Sequence, residues 1–173
     1  MTRLHLCALG LCLQLLSCSS SDSGSEPGPA GECTFHDPAS KLCWQDPPPA
    51  QAFRWQDAKA YCQSQGLRLP KIQELISLIR GCASSACILT DPGCTSSTCR
   101  SDPSCAACTK DSGPAANGCY WDAGLSGTCD WYWSSSGVDE GPYDAWYVHF
   151  QSAAADNGAH AIEKYVRCVR SEP

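Results

Sequence analysis

Eight cysteines fall between Cys82 and Cys129, in a stretch otherwise rich in Ser, Asp, Pro, Gly and Thr. Its aliphatic residues beyond alanine are Ile88, Leu89 and Leu125. Ordering a residue's backbone costs on the order of 1–2 kcal/mol, and a segment this poor in apolar surface cannot offset that by its own burial. Covalent cross-links must stabilise it, each contributing about 2–5 kcal/mol. Residues 82–129 are therefore expected to form a disulfide-stapled insertion on a smaller parent fold.

The whole chain carries 15 Cys, and its first residues change how they are counted. Arg3 precedes an apolar run from Leu4 to Leu16, which is shorter than the roughly 20 residues a membrane-spanning helix needs. The run has the proportions of a secretory signal and ends in Leu15-Leu16-Ser17-Cys18, which resembles a bacterial lipobox. On that reading 1–17 is a lipoprotein signal peptide and Cys18 becomes the lipidated first residue, anchored through its acyl chains. The plainer alternative is a cleaved signal without lipid. Residues 18–32, rich in Ser, Gly and Pro, read as a flexible tether. Ser19 is not Asp, which favours the outer membrane or cell surface over retention at the inner membrane. Removing Cys7, Cys12 and Cys18 leaves an even set of cysteines in an oxidising compartment, where disulfides are the expected state. Cys33, Cys43, Cys62, Cys119, Cys129 and Cys168 are counted among them. The partners of Cys82, Cys87, Cys94, Cys99, Cys105 and Cys108 stay open.

Periodicity supplies the elements of 33–173. Cys33 and Cys43 flank Asp-Pro-Ala-Ser between two β-capable pieces, which predicts a hairpin closed by its own disulfide. Trp55, Ala58, Lys59 and Cys62 at i, i+3, i+4, i+7 predict a helix over about 54–65, with Gly66 as its C′ residue. Ile72, Leu75, Ile76 and Ile79 give a second, fully apolar stripe that Gly81 should stop. "DWYWSSS" and "DAWYVHFQS" read as strands around a polar loop, 134–144. "AAADNGAHAIE" reads as turn-rich, and "KYVRCVR" as a last strand.

Six segments in order, "LCWQD", "WQDAKAYC", "LRLPKIQELISLI", "YWSSS", "AWYVHF" and "YVRCVR", resemble the C-terminal domain of the Legionella collagen-like adhesin, the Lcl C-terminal domain family. The resemblance covers about 41–82 and 129–170. It implies an α+β, C-type-lectin-like fold: two helices, a curved antiparallel sheet, paired N- and C-terminal strands, and a bridge from the first helix to the last strand. The matching cysteines are Cys62 and Cys168, and Cys62 lies on its helix's apolar stripe. The Glu-Pro-Asn, Gln-Pro-Asp and Trp-Asn-Asp motifs of calcium-dependent sugar-binding lectins are absent, so that mode of binding is not expected.

Charge and motifs exclude other classes. A formal net charge of −6 without clustered Lys/Arg argues against nucleic acid and against anionic polysaccharide. No His-Glu-x-x-His, Gly-x-Ser-x-Gly or phosphate loop occurs, so no catalytic residue is assigned. Formylglycine-generating oxidases share the lectin-like architecture and use a reactive Cys pair, and Cys105-Ala-Ala-Cys108 has a redox-like spacing, yet structural pairing is the stronger reading in so Cys-rich a loop. No metal site or cofactor is assigned. Calcium would suit Asp91, Asp102, Asp111, Asp139, Glu140 and Asp144, while Asp beside Pro or Gly more often starts a turn. Alternation puts Trp146, Val148 and Phe150 on one strand face as core and Tyr147 and His149 on the other. Trp131 and Trp133 share a face opposite Tyr132. The candidate contact residues are Tyr132, Ser135, Asp139, Glu140, Tyr143, Asp144, Tyr147 and His149. The expected function is non-catalytic binding or adhesion to a glycan, an envelope polymer or a surface protein, with the membrane engaged through the N-terminal lipid. A structural envelope lipoprotein is the alternative.

Overall fold

The computed structural model describes residues 33–172; the leader, Cys18 and the tether lie outside them. Strands β1 (Cys33–Asp37), β2 (Leu42–Gln45) and β6 (Val169–Ser171) form one antiparallel sheet in the order β1-β2-β6. Strands β3 (Trp131–Val138), β4 (Gly141–His149) and β5 (Ala154–Ala159) form a second antiparallel sheet in sequence order. Helices α1 (Trp55–Ser64) and α2 (Ile72–Ser77) lie between the two in the chain, and a single turn of helix, α3 (Ser97–Arg100), lies in the Cys-rich segment. The architecture is α+β, with two three-stranded sheets where one curved sheet was expected. The C-terminal strand pairs with the N-terminal hairpin through β2.

Local signals explain the helix ends. Gly66 sits at φ 68°, the left-handed conformation a glycine adopts without penalty. It lets Leu67 N reach Cys62 O at 3.0 Å and Gly66 N reach Gln63 O at 3.0 Å, the paired bonds of a Schellman cap on α1. Helix α2 begins where Glu74 accepts from Lys71 N at 2.7 Å and holds Arg68 through two further 2.7 Å bonds. It ends at Ser77, well before the expected stop at Gly81. The stripe is nonetheless buried in full, because Leu78 N bonds Leu75 O and Ile79 N bonds Ile76 O in tighter i→i−3 turns. Arg80 N then leaves for Tyr120 O at 3.2 Å, which draws the chain away from the helix axis.

The late strands are longer than the sequence suggests. Most of 134–144 is strand, and the β3–β4 connection shrinks to Asp139-Glu140. "AADNGA", expected as turn, is the edge strand β5, held by six consecutive partners on β4 from Asp144↔Ala159 to His149↔Ala154. Cross-strand pairing overrides the low β propensity of Ala, Asp, Asn and Gly. Conversely, the expected last strand is regular only over Val169–Ser171; Lys164 and Tyr165 make isolated bridges to Phe53 and Tyr132.

The β3-β4-β5 sheet is packed on both faces. Tyr132, Trp146, Val148 and Phe150 face Trp44, α2 and the Cys-rich segment. Trp133, Ala145 and Tyr147 face α1 through Trp55, Ala58 and Cys62. The alternation read from sequence is therefore correct, but the second face is not free. Tyr132 is 0% and Tyr147 8% exposed, which corrects their expected outward placement. A strand with apolar cover on both sides buries odd and even residues alike.

Six disulfides link the described cysteines: Cys33–Cys43, Cys62–Cys168, Cys82–Cys108, Cys87–Cys105, Cys94–Cys99 and Cys119–Cys129. Cys105 and Cys108 go to different partners, so they are no redox dithiol. Within 82–129, Leu89, Ala115, Tyr120, Trp121 and Leu125 are buried in the shared core. Trp121 packs against Phe150 at 5.0 Å and edge-on to Tyr132 at 5.7 Å. The segment thus joins its staples to aromatic burial outside itself.

A buried arginine fixes that junction. Arg167 is 0% exposed; its Nη1 bonds Asp46 Oδ1 at 2.7 Å and Gln45 O at 3.0 Å, and its Nη2 bonds Ser126 O. The guanidinium lies 4.9 Å from the Trp121 ring, and Nε has no partner among the described residues. Gly127 sits beside it at φ 115°, where an added Cβ would meet Pro48 Cγ at 2.8 Å and Arg167 Nη2 at 3.2 Å. Gly127→Ala is expected to lower stability by about 1–3 kcal/mol through that strain, measurable as a drop in urea midpoint.

Candidate functional site

The pairing of β3 with β4 sets Trp131 opposite His149 and Trp133 opposite Tyr147, and β5 adds Asp156 opposite Tyr147. Directly paired residues share a face, so these side chains form one row on the α1 side. The Trp133 end is closed: its Nε1 donates to Phe53 O at 2.9 Å. The other end is open, with Trp131 and His149 only partly buried. Trp131 stacks on His149 at 4.4 Å and meets Tyr147 edge-on at 4.8 Å.

Lys164 enters this row from the segment after β5. Its backbone is clamped to Phe53 by bonds of 2.8 and 3.0 Å, and only 8% of the residue is exposed. Nζ lies 3.7 Å from the Tyr147 ring centroid, 5.1 Å from Trp131 and 5.4 Å from Trp133. Rings within about 6 Å attract a cation through their quadrupoles. Burial pushes the ammonium's pKa down, and Asp130 and Asp156 act against that shift. Among the described residues Nζ has no hydrogen-bond acceptor and no ion-pair partner. Burial also pushes the Tyr147 phenol up to about 12, with Asp156 adding to the shift. It stays protonated and donates to Asn157 O at 2.7 Å.

His149 is lowered from the ordinary histidine value by burial, with Lys110 and Lys164 assisting and Asp130 opposing. Its folded pKa lies below the unfolded one, so the neutral ring favours folding. That contribution is complete above about pH 6.5 and is lost as pH falls below it toward the folded value. Denaturant titrations on either side of about pH 6.5 should show a loss on acidification that His149→Gln reduces.

The remaining sequence candidates are dispersed. Asp139 accepts from Thr95 Oγ1 at 2.7 Å, and Glu140 accepts from Ser97 N at 3.2 Å, so both dock the hairpin tip on the Cys-rich segment. Ser135 N donates to Pro70 O at 2.6 Å. Asp144 is half-buried on β4, and Tyr143 is 78% exposed. Of these residues Asp144 alone acts on Tyr147, adding to its raised pKa behind burial and Asp156. Trp131, Lys164 and Asp156 were missed as contacts. Lys164 is far from the aromatic strands in sequence, and no local pattern links it to them.

Two open clefts lie along the N-terminal hairpin. One, of about 590 Å³, is lined by His36, Arg170, Ser171 and Glu172; the other, of about 550 Å³, by Asp37, Ala39, Ser40, Ser77 and Arg80. Neither offers an aromatic wall beyond His36, and an apolar lining with a few convergent polar groups is the better mark of a ligand site. The aromatic row has that character. Among the described residues, Cys33, His36 and Cys43 are the one cluster of potential metal ligands, and two of the three are joined as a disulfide. No helix among the described residues is long and apolar enough to cross a membrane.

The fold and the row define a disulfide-stapled α+β domain with an aromatic row around its own Lys164, open at the Trp131–His149 end. The model of the Lcl C-terminal domain matches residues 33–170, and the chain belongs to that family. The match spans all six disulfides and the Cys-rich segment. No curated protein and no solved structure matches the chain. Family membership suggests an adhesin-like surface domain.

Proposed function

We propose that the chain is an exported, non-catalytic binding domain that holds a surface glycan or envelope polymer at the open end of its aromatic row. The observation that carries this is the partly exposed Trp131–His149 stack set over an aromatic-caged, unpartnered Lys164. Stacked rings supply apolar area at low conformational cost, and a partly buried donor supplies orientation. In this reading the architecture is a C-type-lectin-like variant, and Cys18 carries the lipid that holds the domain at the outer membrane or cell surface. Incorporation of labelled palmitate, lost in Cys18→Ser, is the expected sign of that anchor; unchanged labelling in the variant would refute it.

A soluble form covering 25–173 is expected to bind on an array of glycans and cell-wall polymers equally with calcium and with chelator. Trp131→Ala should weaken that binding at least about tenfold, the equivalent of about 1.4 kcal/mol. Absence of binding in both conditions would leave a structural envelope role.

A further inference from the structure

We infer that Lys164 and the Trp131–His149 stack form a subsite for one neutral sugar residue, whose hydroxyl oxygens accept from Nζ. The inference rests on the binding role proposed above and adds the chemical class of the ligand. Lys164 is 8% exposed as a residue, and its Nζ stands among three ring faces while keeping a path to solvent, with no acceptor from the described residues. The rings strip part of the ammonium's hydration, and π faces recover only some of it. A ligand oxygen seated over Nζ supplies what the chain does not. The Trp131–His149 stack beside it offers the apolar surface that the C–H face of a pyranose packs against.

The charges around the row select among ligands. Asp130 and Asp156 are the carboxylates that act on Lys164, Arg100 pairs with Asp156, and Lys110 acts on His149. Donors and acceptors are therefore interleaved. A hydroxyl both donates and accepts, so a polyol satisfies such a set without leaving a charge unpaired. A sulfate or carboxylate would be drawn by Lys164 but would face two carboxylates, on a chain of net charge −6.

The test uses the full chain, exported and purified, titrated calorimetrically with neutral glucan and N-acetylglucosamine oligosaccharides and, separately, with sulfated and uronate oligosaccharides. Neutral probes should bind with affinity little changed by added salt, because no net charge is neutralised. Lys164→Met, which fills the cage without donors, should weaken them at least about tenfold, while Tyr143→Ala changes nothing. Saturation transfer from aromatic protons to sugar C–H protons in the unaltered chain gives a readout independent of any variant's folding, and its absence would also overturn the subsite. Binding confined to sulfated or uronate probes and lost with salt would overturn it too. So would Lys164→Met binding as the parent does while Trp131→Ala fails to, and in that case the broader binding role stands. Binding of no probe at all overturns both.

Discussion

Asp46→Ala is expected to destabilise the domain by about 3–5 kcal/mol, the cost of leaving a buried charge without its partner. The orphaned charge is Arg167, fully buried between Asp46, Gln45 O and Ser126 O. Asp46 does a second job, since its Oδ1 also accepts from Ser126 N at 2.9 Å and Ser126 Oγ at 3.0 Å. Its loss therefore loosens the Cys-rich segment as well as the strand. Asp46→Asn keeps the Oδ1 acceptor and should cost less. The double variant with Arg167→Met removes the charge, and should be less destabilised than the two single costs summed, with coupling on the order of 0.5–3 kcal/mol. Equilibrium urea unfolding under oxidising conditions measures these variants and Arg167→Met alone. A shift below about 1 kcal/mol for Asp46→Ala would show that the guanidinium is not held by this pair.

Removing the Cys62–Cys168 bridge with a Cys62→Ala, Cys168→Ala double variant is expected to have a comparable effect. Its sequence separation of 106 makes it the longest of the six loops. On the chain-entropy account a loop of that size contributes about 4.8 kcal/mol, against about 2.7 for the ten-residue loop of Cys33–Cys43. Both sulfurs are fully buried in the core beneath α1, so the bridge also fastens that helix to the residue preceding β6. Comparing this variant with a Cys33→Ala, Cys43→Ala variant by denaturant midpoint tests the ordering. Equal losses from the two pairs would contradict the loop-length argument.

The elements that the sequence revealed are those governed by local periodicity. Helix α1 and its Gly66 cap, the Cys33–Cys43 hairpin, and the face assignments on β3 and β4 follow from spacing of 3.6 or 2 residues and from turn chemistry. β5 escaped because Ala, Asp, Asn and Gly carry little strand preference, and only six partners on β4 make them a strand. Helix α2 was legible from its apolar stripe, but its early end escaped because the chain is drawn off toward Tyr120, a contact 40 residues away (120 − 80 = 40). Tyr120 and Trp121 belong to a segment read mainly through its cysteines, and their burial depends on surfaces supplied by β2, β3 and β4.

The candidate site was half legible. Tyr147 and His149 were placed on one face and belong to the row; Tyr132 was placed on the other face and is core. Alternation reports which residues share a side of a strand, but not whether that side is covered. Cover comes from α1 and from the Cys-rich segment, and both arrive by tertiary packing. The sequence by itself determined the family, the disulfide-dependent character and the pairing of apolar faces, because these depend on residue type and spacing. Only the tertiary structure decided which cysteines of the Cys-rich segment join, that both sheet faces are buried, and that Lys164 stands among Trp131, Trp133 and Tyr147. Each of those facts is a meeting of residues distant in the chain, which no local pattern encodes.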